Sequence, residues 1–204
     1  MYEYFVLILG LDNAGKTTFL EQSKTQLNHQ YRGVALTKIT ATVGLNIGRI
    51  HTNGIVLNFW DLGGQTELQT LWDKVCVHTL SPKLVPYLMN FLFPRTASIS
   101  PNPMQSCMSS TLQIAKDSTT RSKPLTLNGV PLLLVANKQD IPESLSLSRI
   151  KEVFLSDRQL IGQRDCHSVA VSALKGDGVN ECIEWTVGAI KRNITNRPPN
   201  TTEE

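Results

Sequence analysis

The sequence predicts a three-layer α/β domain with a largely parallel sheet at its centre. Three observations carry that prediction. Tyr4-Phe5-Val6-Leu7-Ile8-Leu9 is apolar without interruption, the signature of a strand buried on both faces. It ends at Gly10, where a glycine-punctuated loop leads into a helix-favouring segment. A second unbroken run spans Val130 to Ala136, and strand-like and helix-like segments alternate around the two.

Each element has a local reason. Lys16 to about Leu27 is rich in helix formers, and a looser stretch follows to Thr42. Asn46–His51 and Ile55–Trp60 flank Thr52-Asn53-Gly54. Asn-Gly between two strand-like runs is the strongest short hairpin signal, so an antiparallel pair is expected inside the parallel pattern. Ser146 to Phe154 reads as helix and Cys166 to Val171 as strand. Gly176-Asp177-Gly178 turns into a last helix whose apolar positions, Val179, Cys182, Ile183, Val187 and Ile190, recur at helical spacing. Cys166 and Cys182 read as core residues. The tail from Arg197-Pro198-Pro199 is expected to fray, with residues 199–204 flexible.

Composition narrows the possibilities. A chain of 204 residues suits one domain, here residues 1–198. Its 20 Lys+Arg and 17 Asp+Glu leave a net charge of +3, and the basic residues are scattered. That balance argues against a nucleic-acid partner. Cys76, Cys107, Cys166 and Cys182 form no CxxC pair, which argues against a zinc ribbon or a disulfide framework and fits a reducing compartment. No apolar run reaches the ~18 residues of a membrane span, and no basic leader precedes Tyr4.

One segment breaks the pattern. Val75 to Ala115 holds no Asp or Glu, and prolines 82, 86, 94, 101 and 103 are half of the chain's 10. Proline at this density opposes helices and central strands alike. About residues 75–123 therefore read as a disordered interruption of the domain, with a retained intron, an alternative exon or a faulty gene model as the source of about residues 75–120.

Four motifs carry chemistry. Gly10-Leu11-Asp12-Asn13-Ala14-Gly15-Lys16-Thr17, followed by Thr18, fits GxxxxGK[ST] between a buried strand and a helix. Backbone N–H groups of such a loop converge on phosphate oxygens, with glycine permitting close approach. Lys16 would meet the β and γ phosphates, and the Thr17 hydroxyl would ligate Mg²⁺. Asp61-Leu62-Gly63-Gly64-Gln65 follows the strand ending at Trp60. Asp61 would hold the metal through its water shell, Gly64 would offer an N–H to a γ-phosphate, and Gln65 would orient an attacking water. Asn137-Lys138-Gln139-Asp140 follows the run at 130–136. The Asp140 carboxylate matches guanine's N1–H and exocyclic amine, where adenine presents an acceptor. Asn137 would tie this loop to the phosphate loop, and the Lys138 stem would lie over the base. Ser172-Ala173-Leu174 would supply a backbone N–H to guanine O6. Thr42, before Val43-Gly44, is a second hydroxyl for the metal.

These motifs, in this order, resemble the Arf family of small GTPases. The resemblance rests on Gly10 to Thr18, Thr42-Val-Gly-Leu-Asn46, Phe59-Trp-Asp-Leu-Gly-Gly-Gln65 and Asn137-Lys-Gln-Asp140. Phe19-Leu-Glu-Gln-Ser23 and Leu71-Trp-Asp-Lys74 point to its Arf-related, trans-Golgi branch. The resemblance implies a P-loop fold with a mixed six-stranded sheet and helices on both faces. It also implies a GTP/GDP switch with Mg²⁺, whose effectors would meet Leu45 and Trp60. No motif places an arginine finger, so intrinsic hydrolysis is expected to be slow and a GAP and an exchange factor are implied. A monomer at the cytosolic face of the Golgi, held there through partners, completes the expectation. The family's next strand, an apolar run ending in Asp, and its helix have no counterpart after Lys74, so one central strand is expected to be missing or replaced. Two other readings stay open: a GTPase isoform that acts only as an interaction module or does not fold stably, and an ATP-using P-loop kinase, which Asp140 disfavours.

Overall fold

The computed structural model describes residues 2–65, 67–68, 87–92, 130–155, 164–194 and 200–201. In chain order these form β1 (Tyr2–Gly10), α1 (Lys16–Leu27), a 3-10 turn at Leu36–Lys38, β2 (Leu45–Thr52), β3 (Ile55–Leu62), β4 (Tyr87–Leu92), β5 (Leu132–Ala136), α2 (Leu147–Leu155), β6 (Cys166–Ala170), α3 (Val179–Asn193) and β7 (Asn200–Thr201). The sheet runs in the order β2-β3-β1-β4-β5-β6, with β7 on β1. All pairs along this path are parallel except β2–β3, as the Asn-Gly hairpin requires. Its turn residues, Asn53 at φ 49° and Gly54 at φ 78°, are both left-handed, the conformation that matches the twist of the flanking strands.

β1 and β5 are buried on both faces, as their unbroken apolar runs demand: Val6 to Leu9 and Leu132 to Ala136 are at most 1% exposed. α1 contributes Phe19 and Leu20 to the core. All five apolar positions assigned to the last helix, on α3, are buried. Cys182 is buried among them, whereas Cys166 is exposed. The expectation that Cys166 is a core residue is therefore corrected: it opens β6, which is the last strand of the sheet among the described residues.

A strand does stand between β1 and β5. β4 pairs in parallel with both, from Val6↔Tyr87 to Gly10↔Phe91 on one side and Leu88↔Leu132 to Leu92↔Ala136 on the other. Of the two expected outcomes, a central strand missing or replaced, the second holds. The proline objection lapses because the strand starts at Tyr87, just after Pro86, so no proline falls within the ladder. The family's following helix, and the remainder of 75–123, lie outside the described residues. β4 first meets β1 at Val6, so Tyr2 and Glu3 keep open backbone groups on that side. There Thr201 and Asn200 pair with them, antiparallel, so the expectation of a free tail is corrected at these two residues.

In a central strand every N–H is used by one neighbour or the other. Asn90→Pro removes one such donor between β1 and β5, and should lower unfolding stability in a urea titration by on the order of 3 kcal/mol or more. An unchanged midpoint would show that β4 is dispensable.

Candidate functional site

The carboxyl ends of β1, β3 and β5 converge on one region of the molecule. β1 delivers its chain into the loop Leu11–Gly15, where Asn13 (φ 62°) and Gly15 (φ 85°) adopt left-handed backbone. Gly15 precedes α1 with no side-chain capping bond, and the first turn carries no acid. The positive end of α1 is thus left for an anion. Lys16 folds its ammonium back over the loop, donating to the carbonyls of Gly10 (2.8 Å) and Leu11 (2.9 Å). Asp12, Asn13, Gly15, Lys16, Thr17, Thr18, Thr42 and Gly64 line a common cleft of about 250 Å³, with Ile39, Thr40 and Ala41 beside them.

One wall of the cleft is a set of oxygen donors. Thr17 Oγ1 donates to Asp61 Oδ2 at 2.7 Å. Its single proton is thereby used, so Thr42 Oγ1, also 2.7 Å away, donates to Thr17. Asn46 Nδ2 donates to the same carboxylate oxygen at 3.4 Å. Asp61 is fully buried, and its Oδ1 has no hydrogen-bond partner among the described residues. Burial pushes this carboxyl above its ordinary value, against the opposing pull of Thr17 and the Lys16 charge. An orphaned buried carboxylate oxygen beside two hydroxyls is the hard-oxygen environment that suits Mg²⁺, so these residues fit the ion the resemblance implies.

The loop after β3 is locked against the phosphate loop. Gly63 N–H donates to Gly44 O at 2.9 Å, joining the segments that follow β3 and precede β2. A Cβ on Gly64 would stand 2.4–2.5 Å from backbone atoms of Gly10, Leu11 and Asp12, so only glycine permits this approach. Gln65 follows, half-buried, its carbonyl accepting from Leu68 N–H at 2.9 Å.

The third loop is tied to the first by a buried amide. Asn137 Nδ2 donates to Ala14 O at 2.8 Å, and Asn137 Oδ1 accepts from Ala173 N–H at 3.0 Å. Lys138 is left-handed at φ 61°. Asp140 is half-buried and receives the Ser172 hydroxyl at 2.6 Å. The N–H of Ser172 donates to Asp177 O at 3.0 Å, and that of Ala173 to the Asn137 amide oxygen at 3.0 Å.

Leu45 is 41% exposed, and the sequence reading paired it with Trp60. Trp60 lies opposite Ile47 in the hairpin and meets Phe5 edge to face at 5.6 Å. Ile47 (58% exposed) lies on the same face of β2 as Leu45 and was missed, although its period-two spacing was available; Val43 (81%) is exposed just ahead of the strand. Asn46, the second donor to Asp61, left no signal of its own, because its role needs the register Asn46↔Asp61.

Asp61 yields a pH prediction. Its folded carboxyl titrates above the unfolded value, so upward from the ordinary carboxylate range the unfolded state binds fewer protons, and stability falls with rising pH through the folded value. In protein stripped of metal and nucleotide, Asp61→Asn should flatten that decline in melting temperature. An identical pH profile in the variant would refute the assignment.

The sequence pattern of the ADP-ribosylation factor family matches residues 2–81 and 106–190. The stretch between the two parts, 82–105, contains β4. ADP-ribosylation factor-related protein 1 of Bos taurus is 47% identical over 197 residues, covering 97% of this chain and 89% of that protein. ADP-ribosylation factor-like protein 3 of Saccharomyces cerevisiae is 35% identical, covering 97% and 90%. The structure of the Arl6 BBS3 small GTPase from Trypanosoma brucei, with bound nucleotide analogue GppNp, superposes with a TM-score of 0.68 at 25% identity, covering 93% of this chain and 98% of that one. The chain belongs to the ADP-ribosylation factor family of small GTPases.

Proposed function

We propose that the protein is a guanine-nucleotide switch, slow to hydrolyse GTP unaided, that recruits effectors to Golgi membranes. The observation that supports this best is the meeting of Lys16, Thr17 and Thr42 in one cleft, with buried Asp61 bonded to Thr17 behind them and Asn137 tying the phosphate loop to the segment that carries Asp140. Lys16 and the N–H groups at the start of α1 hold the phosphates. Thr17 and Thr42 supply hydroxyls to Mg²⁺, and Asp61 holds its water shell; the ion when bound neutralises charge between the phosphates. Asp140 selects guanine by accepting from N1–H and the exocyclic amine.

The switch follows from which loops the terminal phosphate engages. Thr42 precedes β2 and Gly64 follows β3, and both line the cleft. A nucleotide with a γ-phosphate draws both loops toward it, and one without releases them. The exposed apolar residues Val43, Leu45 and Ile47 stand directly after Thr42, so their presentation to an effector changes with nucleotide. Gln65 positions the hydrolytic water, and a GAP supplies the missing positive charge. An exchange factor empties the cleft. Among the described residues no helix is long and apolar enough to cross a membrane, which is consistent with attachment through partners.

Titration of the purified protein with fluorescent GDP and GTP in Mg²⁺ should give binding that ATP does not compete, and Asp140→Asn should weaken it at least tenfold. Equal competition by ATP would refute guanine selection. Gln65→Leu should leave nucleotide affinity intact while GAP-stimulated hydrolysis falls by roughly 10²-fold or more. Hydrolysis at the unmutated rate would remove Gln65 from the reaction.

A further inference from the structure

Gln26 lies on the last turn of α1, far along the helix from the phosphate loop, yet its side chain reaches the base-side loop. Gln26 Nε2 donates to the carbonyl of Gly176 at 3.0 Å. Gly176 is left-handed (φ 90°), and a Cβ there would lie 2.3 Å from Gln26 Nε2 and 2.6 Å from Gln22 Nε2. The turn is therefore packed flat onto two amides one helical turn apart.

From Gly176 the hydrogen bonds run back to the base-selecting carboxylate. Gly176 N–H donates to Ser172 O at 2.7 Å, and Ser172 N–H to Asp177 O at 3.0 Å. The Ser172 hydroxyl donates to Asp140 Oδ1 at 2.6 Å and accepts from Lys175 N–H at 3.2 Å. Besides the backbone bond from Gln139 N–H to Val171 O at 3.0 Å, two side-chain amides grip the loop. Asn137 holds Ala173 from the front, and Gln26 holds Gly176 from behind. With only the front grip, the turn can pivot about Ala173, and the Ser172 hydroxyl would no longer be aimed at Asp140.

Gln26 is also held at a cost. Its Oε1 is buried with no hydrogen-bond partner among the described residues. A residue retained only for packing gains nothing from an amide with an unsatisfied oxygen; a methionine of similar shape fills the space without it. We infer that Gln26 is a positioning residue for guanine selection: from the back of α1 it fixes the Ser172–Gly178 turn, and through it the orientation of the Asp140 carboxylate toward the base amine. This rests on the guanine-binding reading above.

The test compares GDP with IDP, which keeps N1–H but lacks the exocyclic amine, in the full-length protein with Mg²⁺. Gln26→Met keeps the volume and removes both the donor and the orphaned oxygen. Its melting temperature should be unchanged or higher, while its preference for GDP over IDP should fall by about fivefold, the value of one modest hydrogen bond. Affinity for IDP should change little, because the phosphate grip is untouched. Gln26→Glu, equal in shape but without the N–H donor, should lose the same preference. Unmutated protein that prefers GDP, with both variants retaining that preference, overturns the positioning role alone. A uniform loss of affinity for both nucleotides together with a lower melting temperature also overturns it, in favour of a packing role. Unmutated protein that binds neither nucleotide removes the guanine reading and the inference with it.

Discussion

Asn137 sits where three loops meet, with its amide N–H groups on one side and its amide oxygen on the other both committed to backbone. The phosphate loop belongs to β1 and α1, and the base-side loops belong to β5 and β6. Nothing in their local sequences sets the distance between them. Two hydrogen bonds through one buried side chain do, and the low dielectric around a residue only 1% exposed makes each of them costly to break. Gly15 completes the arrangement, because any side chain there would collide with the Asn137 amide at 2.3 Å. One amide and one glycine thus fix the contact between the loop after β1 and the loop after β5.

Across the cleft the energetics are of the opposite kind. Asp61 is a fully buried acid whose second oxygen has no partner among the described residues. In isolation that is unfavourable, and its carboxyl responds by holding its proton more tightly. On the function proposed above the arrangement is one half of a cation site, where a bound ion would offset the cost of burying the acid. The Thr17 and Thr42 hydroxyls are bonded to each other at 2.7 Å, and Thr17 in turn donates to Asp61. The same two loops are thus tied together by weak, exchangeable bonds, which is what a conformational switch needs.

The central sheet shows how far a fold can be held by position. β4 lies in the stretch that the family pattern does not match, yet it pairs in register with β1 and β5 over five positions on each side. Its sequence, Tyr87-Leu-Met-Asn-Phe-Leu92, is short, apolar and free of proline, which is sufficient for a strand covered by neighbours on both edges. The open slot between two buried parallel strands imposes the pairing. The same logic draws Asn200–Thr201 onto the remaining free edge at Tyr2 and Glu3.

The sequence by itself determined the elements with strong local signals: the doubly buried runs β1 and β5, the Asn53-Gly54 hairpin, the glycine loop opening α1, and the buried face of α3. These rest on periodicity, turn chemistry and burial, all of which act within about ten residues. Of the cleft lining it also named Asp12, Asn13, Gly15 to Thr18, Thr42 and Gly64, because their motifs are contiguous in the chain, but not Ile39, Thr40 or Ala41, which carry no motif. Only the tertiary structure decided that Tyr87–Leu92 becomes a central strand, that Cys166 is exposed, that Asn46 reaches Asp61, and that Gln26 supports a loop 150 positions away. Each depends on which strand lies beside which, and that choice is made by the whole sheet closing its open hydrogen-bonding edges, so no short stretch of sequence carries it.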